Sequence, residues 1–222
     1  MQKKFIFLEI LILFFYLILP PMLKSTTASS TPTLHFSISM LFYVAIAIFL
    51  IVQYFILEKP SSKPLPLQII ASVATLILLF ASATIIITIN TLLGKKSFLP
   101  DTSVSIPTNC LEWLNLSAAI FSAALYEEAV YRVFLPFALR YLLTKKESSS
   151  KYIYIFIELI SILFFALGHR YLGLSAVINA VIGGFILRLC FLITKNPLQC
   201  ALSHSAYNLL AVLLSSVFVK IS

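Results

Sequence analysis

A chain of 222 residues that is 60% hydrophobic and only 11% charged, with a mean hydropathy of +1.03, lies far outside the composition of soluble domains. Its 16 Lys and Arg against 8 Asp and Glu give a net charge of +8, but the basic residues fall in the connections between apolar runs. That placement excludes nucleic acid as a partner and makes the charge a topology signal instead.

Apolar runs long enough to cross about 30 Å of hydrocarbon, roughly 20 residues each, recur along the whole chain. They cover residues 5–23, 34–57, 67–93, 111–143, 152–169, 172–194 and 198–219. The runs are continuous rather than alternating, so they read as helices that satisfy their own backbone in lipid. The expected fold is an all-α, polytopic membrane bundle of about seven transmembrane helices. Lys3 and Lys4 before the first run resemble the start of a signal peptide. That run is long for a signal, Glu9 interrupts it, and no A-x-A site follows, so an uncleaved first span is expected.

With the N-terminus in the cytoplasm, Lys3, Lys4, Lys59, Lys63, Arg140, Lys145, Lys146, Lys151 and Lys195 lie inside. Lys24, Lys95, Lys96, Arg170 and Lys220 then lie outside, and this bias predicts N-in and C-out. The linkers, 24–33, 58–66, 94–109 and 144–151, are too short to house another domain. Cys110, Cys190 and Cys200 have no metal or redox spacing and read as small buried hydrophobes. His35, after a Thr/Pro linker, reads as interfacial and without a role.

Polarity divides the chain. Residues 1–110 form three spans that hold Glu9 and scattered uncharged polar groups. Residues 111–210 hold nearly all the intramembrane ionisable groups, and 211–222 complete the last helix. Small residues mark close helix contacts in the second part: Ser117, Ala118, Ala119, Ser122, Ala123 and Ala124, then an Ala176, Ala180, Gly184 stripe.

The fourth run contains "YEEAVYR". A charge at the centre of a membrane helix costs about 2.5 to 3.5 kcal/mol, so Glu127, Glu128 and Arg132 together would cost roughly 8 kcal/mol unpaired. That rivals the whole stability of a domain. Glu128 and Arg132 are four residues apart in the favourable order and can pair. Glu127 points about 100° round the helix and needs its own partner or water. Pro136 marks a kink, and Glu112 beside Trp113 suits a helix start at the interface. Glu158 and Arg188 could pair across helices.

Two of the three histidines, His169 and His204, lie in later spans. His204 and Asn208 share a helix face, which aims two hydrogen-bonding groups the same way; Phe165 and His169 also share one. Carboxylates, imidazoles, a carboxamide and a guanidinium make a hydrolytic inventory: a buried base toward water, with donors opposite for an oxyanion. No serine-hydrolase elbow, HExxH or P-loop competes.

At these residues the chain resembles the CAAX protease and bacteriocin-processing (CPBP, or Abi) family of intramembrane endopeptidases. The family's EExxxR is matched by Glu127, Glu128 and Arg132, its FxxxH by Phe165 and His169, and its HxxxN by His204 and Asn208. The resemblance implies that Glu127 and His169 activate water, that His204 and Asn208 form the oxyanion hole, and that Arg132 orients Glu128. It also implies a substrate that is a membrane protein, or a lipidated or leader peptide.

No cofactor is favoured, but zinc on Glu127, His169 and His204 is an open alternative, since one carboxylate and two histidines leave a fourth position free. HxxxN makes better sense as a donor pair, and no HExxH fixes ligands on one helix. From other classes, a proton-coupled transporter component would use the same ionisable groups, yet paired repeats and matching broken helices are missing. A non-catalytic scaffold or immunity protein would tolerate loss of Glu127. One conflict is built into this topology: His169 falls near the outer end of its span and His204 about 10 Å in from the inner end. They can meet if the long fourth helix protrudes into the cytoplasm.

Overall fold

The computed structural model describes residues 2–23, 37–61, 63–94, 107–144 and 150–221. His35 and most of the expected linkers, with Lys24, Lys95, Lys96, Lys145 and Lys146, lie outside the described residues. Among the described residues the chain forms seven helices and no strand, so the all-α bundle expected from continuous apolar runs is the observed fold.

The helices are α1 (2–23), α2 (Ile38–Glu58), α3 (Leu65–Leu92), α4 (110–143), α5 (Lys151–Leu167), α6 (Leu174–Thr194) and α7 (Pro197–Ile221). Four of them, α1, α2, α3 and α6, are long and apolar enough to cross a membrane. The other three carry Glu127, Glu128 and Arg132, Glu158, and His204. Helix α5, with 17 residues, is about 26 Å long at 1.5 Å per residue, short of a full hydrocarbon crossing. Helix α4 places two carboxylates and a guanidinium at its centre.

Two helices widen locally, each just before proline. In α1 the segment Phe14–Ile18 is π-helical ahead of Pro20 and Pro21; in α4 the segment Ala129–Phe134 is π-helical ahead of Pro136. Proline has no N–H and its ring crowds the carbonyl four residues back, so the preceding turn shifts to bonds five residues apart. Leu19 N–H accordingly donates to the Phe14 carbonyl, and Leu135 N–H to that of Val130. Pro136 thus acts on the residues that follow the two glutamates, all of which are buried.

Helix α4 packs its first half against α2 and α7, while α3 runs along α6 and α7 and α5 lies on α6. Polar ties fix the depth of α7. The Ser72 hydroxyl donates to Gln199 Oε1 at 2.8 Å, Ser203 Oγ donates to the Ser72 carbonyl at 3.1 Å, and Asn196 Nδ2 donates to Gln68 Oε1 at 2.7 Å.

The small-residue stripe on α6 brings α5 close. A Cβ added at Gly184 would stand 3.0 Å from Ile162 Cγ2 and 3.4 Å from the Phe165 ring, so glycine sets the seat of that ring. Gly173, at φ +95°, makes the turn into α6. Asn109 caps α4 by accepting from Glu112 N–H at 2.9 Å, and Glu112 Oε1 accepts from Asn109 Nδ2 at 2.8 Å. Cys190 and Cys200 are buried as expected; Cys110, the first residue of α4, is exposed, because the apolar run begins at the helix end rather than within the bundle.

Candidate active site

The middle of α4 reaches the first third of α7 and the last turn of α5. Glu128 and Arg132 pair as their spacing predicts, with Arg132 Nε 3.3 Å from Glu128 Oε2, both side chains sealed from solvent. The guanidinium lies over the Phe165 ring, its carbon 3.8 Å from the ring centroid, so its charge meets the negative face of the ring.

His204 brings α7 into the cluster. Its Nδ1 lies 3.0 Å from Glu128 Oε1, and its Nε2 lies 3.8 Å from Glu127 Oε2. The two adjacent carboxylates therefore face one imidazole from two sides under different conditions. The Glu128 side chain is 0% exposed and Glu127 28% exposed. A carboxylate accepting at Nδ1 holds the ring and turns Nε2 toward Glu127.

His169 enters through Phe165. The two rings meet edge to face, 4.8 Å between centroids, and His169 Nδ1 sits 2.9 Å from the Phe165 carbonyl. With Nδ1–H donating to that carbonyl, Nε2 is the free acceptor. Phe165 also meets the His204 ring, at 6.1 Å and 78°. The depth conflict between the two histidines is thereby resolved: α5 is short, α7 is fixed by its bonds to α3, and both imidazoles border one phenylalanine. Asn208 lies one turn beyond His204 on α7, half-buried, and among the described residues no hydrogen bond joins its side chain to the cluster.

Tyr131 and Tyr171 were not singled out by the sequence. The Tyr131 ring stacks edge to face on Phe165 at 5.6 Å. Tyr171, in the short turn Arg170–Leu172 after His169, lies within the field of Glu127: burial first and that carboxylate second push its phenol above its usual pKa. Its position two residues past a site histidine was the available signal.

The pairing of Glu158 with Arg188 is also present. Arg188 Nε and Nη2 each lie 2.5 Å from a Glu158 oxygen, while Nη1 donates to the Arg132 backbone carbonyl. That carbonyl is the one that faces Pro136 and has no N–H four residues on. A second ion pair thus secures the backbone of the first.

Among the described residues no three His, Cys, Asp or Glu side chains gather around one point as a metal set.

The bundle thus holds a sealed ion pair that orients an imidazole beside a partly exposed carboxylate. Residues 109–210 match the family described as Rce1-like, type II CAAX prenyl endopeptidase Rce1-like, and this match supports the resemblance of the segment to the CAAX protease and bacteriocin-processing proteins. The match supports a CAAX protease-type peptidase, integral to the membrane, acting on a protein substrate in the bilayer. No curated protein and no solved structure shows a significant match to the chain.

Proposed function

We propose that this protein is an intramembrane endopeptidase in which Glu127 is the general base. The observation that carries the reading is the division between two neighbouring carboxylates: Glu128 is sealed and committed to Arg132 and His204, while Glu127 is partly open and faces the same imidazole. Carboxylates placed in unlike surroundings take unlike roles.

Glu127 takes a proton from water, whose oxygen attacks the scissile carbonyl carbon. The free Nε2 of His169 accepts from that same water and aims it. The oxyanion that forms meets α7 at Asn208 Nδ2–H and the His204 imidazole, with Glu128 and Arg132 fixing the His204 ring. Collapse breaks the C–N bond as Glu127 returns its proton to the leaving amine. This route needs no metal. We further place the N-terminus and the Lys-rich end of the bundle in the cytoplasm, on the charge bias of the connections.

The test is cleavage by the purified full chain in lipid vesicles, followed by mass spectrometry against lipidated C-terminal peptides, leader peptides and membrane-protein segments. Hydrolysis by the wild type and its loss in folded Glu127→Gln is the expected result. Equal cleavage by both proteins would overturn the assignment.

A further inference from the structure

A second site lies at the Lys-rich end of the bundle, away from the glutamates. A cavity of about 200 Å³ opens where α2 ends, α3 begins and α4 and α6 end. Lys63, Arg140, Arg188 and Lys195 line it, with Glu58 as the acidic member. Arg188 is already matched by Glu158. Lys63, Arg140 and Lys195 therefore face the cavity against a single carboxylate, an excess of positive charge in a half-enclosed space. Burial, followed by the charges of Arg188, Arg140 and Lys63, presses the Lys195 ammonium below its usual pKa, with Glu158 opposing.

Like charges are gathered here from the start of α3 and the C-terminal parts of α4 and α6, which costs energy unless an anion joins them. Arg140 Nε donates to the Pro136 carbonyl at 3.2 Å, so its position is held by its own helix rather than by a partner anion. The cavity wall also includes Leu192, 40% exposed on the outer face of α6, so the basic group adjoins the surface that meets lipid. Basic pockets between spans at headgroup depth have the charge and form for phosphate groups of anionic lipids.

We propose that the cavity formed by Lys63, Arg140, Arg188 and Lys195 binds a phosphate group, supplied by an anionic lipid headgroup or by free phosphate. The proposal goes beyond the hydrolytic reading and does not depend on it. Because Arg188 touches both the cavity and the Arg132 carbonyl, occupancy bears on the segment that carries the ion pair.

The experiment is native mass spectrometry of the full chain with phosphatidylglycerol or phosphatidylcholine of identical acyl chains. The proteins compared are the wild type, Lys63→Gln/Lys195→Gln, and Lys3→Gln/Lys4→Gln, which removes equal charge outside the cavity. The wild type and the Lys3/Lys4 control are expected to retain phosphatidylglycerol preferentially. The cavity variant should lose about 25-fold, taking about 5-fold for each of its two basic residues at an anionic surface, and Lys63→Arg/Lys195→Arg should restore retention. Excess inorganic phosphate separates the sources: displacement of the lipid identifies a free-phosphate site, and persistence identifies a headgroup site. Equal retention by the cavity variant and the control, or no preference of the wild type for phosphatidylglycerol together with no binding of inorganic phosphate, overturns the proposal.

Discussion

His204 Nδ1 stands 3.0 Å from Glu128 Oε1, so the seventh helix is joined to the fourth through a carboxylate that is already paired with Arg132. Two jobs meet in that one side chain: Glu128 offsets a buried guanidinium and it orients an imidazole. Its neighbour Glu127 does neither. Substitutions at the two positions are therefore expected to separate stability from activity.

Glu128→Gln leaves Arg132 as an uncompensated charge in the bundle and is expected to cost about 3 to 5 kcal/mol. Thermal unfolding of the detergent-solubilised chain measures this. Glu127→Gln, at a half-open position, should unfold at nearly the wild-type temperature while hydrolysis falls ~10²- to 10⁴-fold, the usual worth of a general base. Similar unfolding temperatures for both variants would show that the Glu128 and Arg132 pair contributes little.

Arg188 positions the active segment without touching substrate, because its Nη1 holds the Arg132 carbonyl and its fork grips Glu158. Arg188→Met is expected to lower kcat with KM nearly unchanged, since the backbone of α4 loses its clamp. Arg188→Lys should recover part of the loss, one donor in place of the fork. A change confined to KM would place Arg188 in substrate binding instead.

Gly184 gives Phe165 its seat, with a Cβ there 3.0 Å from Ile162 Cγ2. Gly184→Val forces α5 and α6 apart, at about 1 to 3 kcal/mol of overpacking, and shifts the ring on which Arg132 and both histidines converge. Activity should fall at temperatures where the variant is still folded, as circular dichroism and cleavage measured on one sample would show. Full activity would mean the ring tolerates displacement.

A metal-free route makes a chemical prediction. After dialysis against a strong chelator, cleavage should persist at its original rate, and metal analysis of the active chain should find no stoichiometric zinc. Loss of cleavage restored by added zinc would replace the glutamate route with a metal-centred one.

Much of this arrangement was readable from local spacing. Four-residue intervals place Glu128 by Arg132 and Phe165 by His169, because a helix repeats every 3.6 residues and needs no tertiary information to align them. The link between Glu158 and Arg188 followed from the cost of leaving either charge alone. Which carboxylate meets His204 was not readable, since it depends on the relative depth of α4 and α7. That depth is set by hydrogen bonds to Ser72 from α7 and to Gln68 from Asn196 just before it, and by the shortness of α5. Pro136 was legible as a disturbance, but its form, a π turn whose Arg132 carbonyl is taken by Arg188, required a residue 56 positions away. Asn208 shares a helix face with His204 by spacing alone, and its role rests on the oxyanion proposal.

The most direct test of the central claim compares membrane-protein termini by mass spectrometry in cells carrying the wild type or Glu127→Ala at matched levels. New termini found only with the wild type, in proteins anchored in the same membrane, are the predicted result and would name the substrates. Identical termini in the two cultures, under conditions where loss of the wild type changes the cells, would contradict proteolysis by this site.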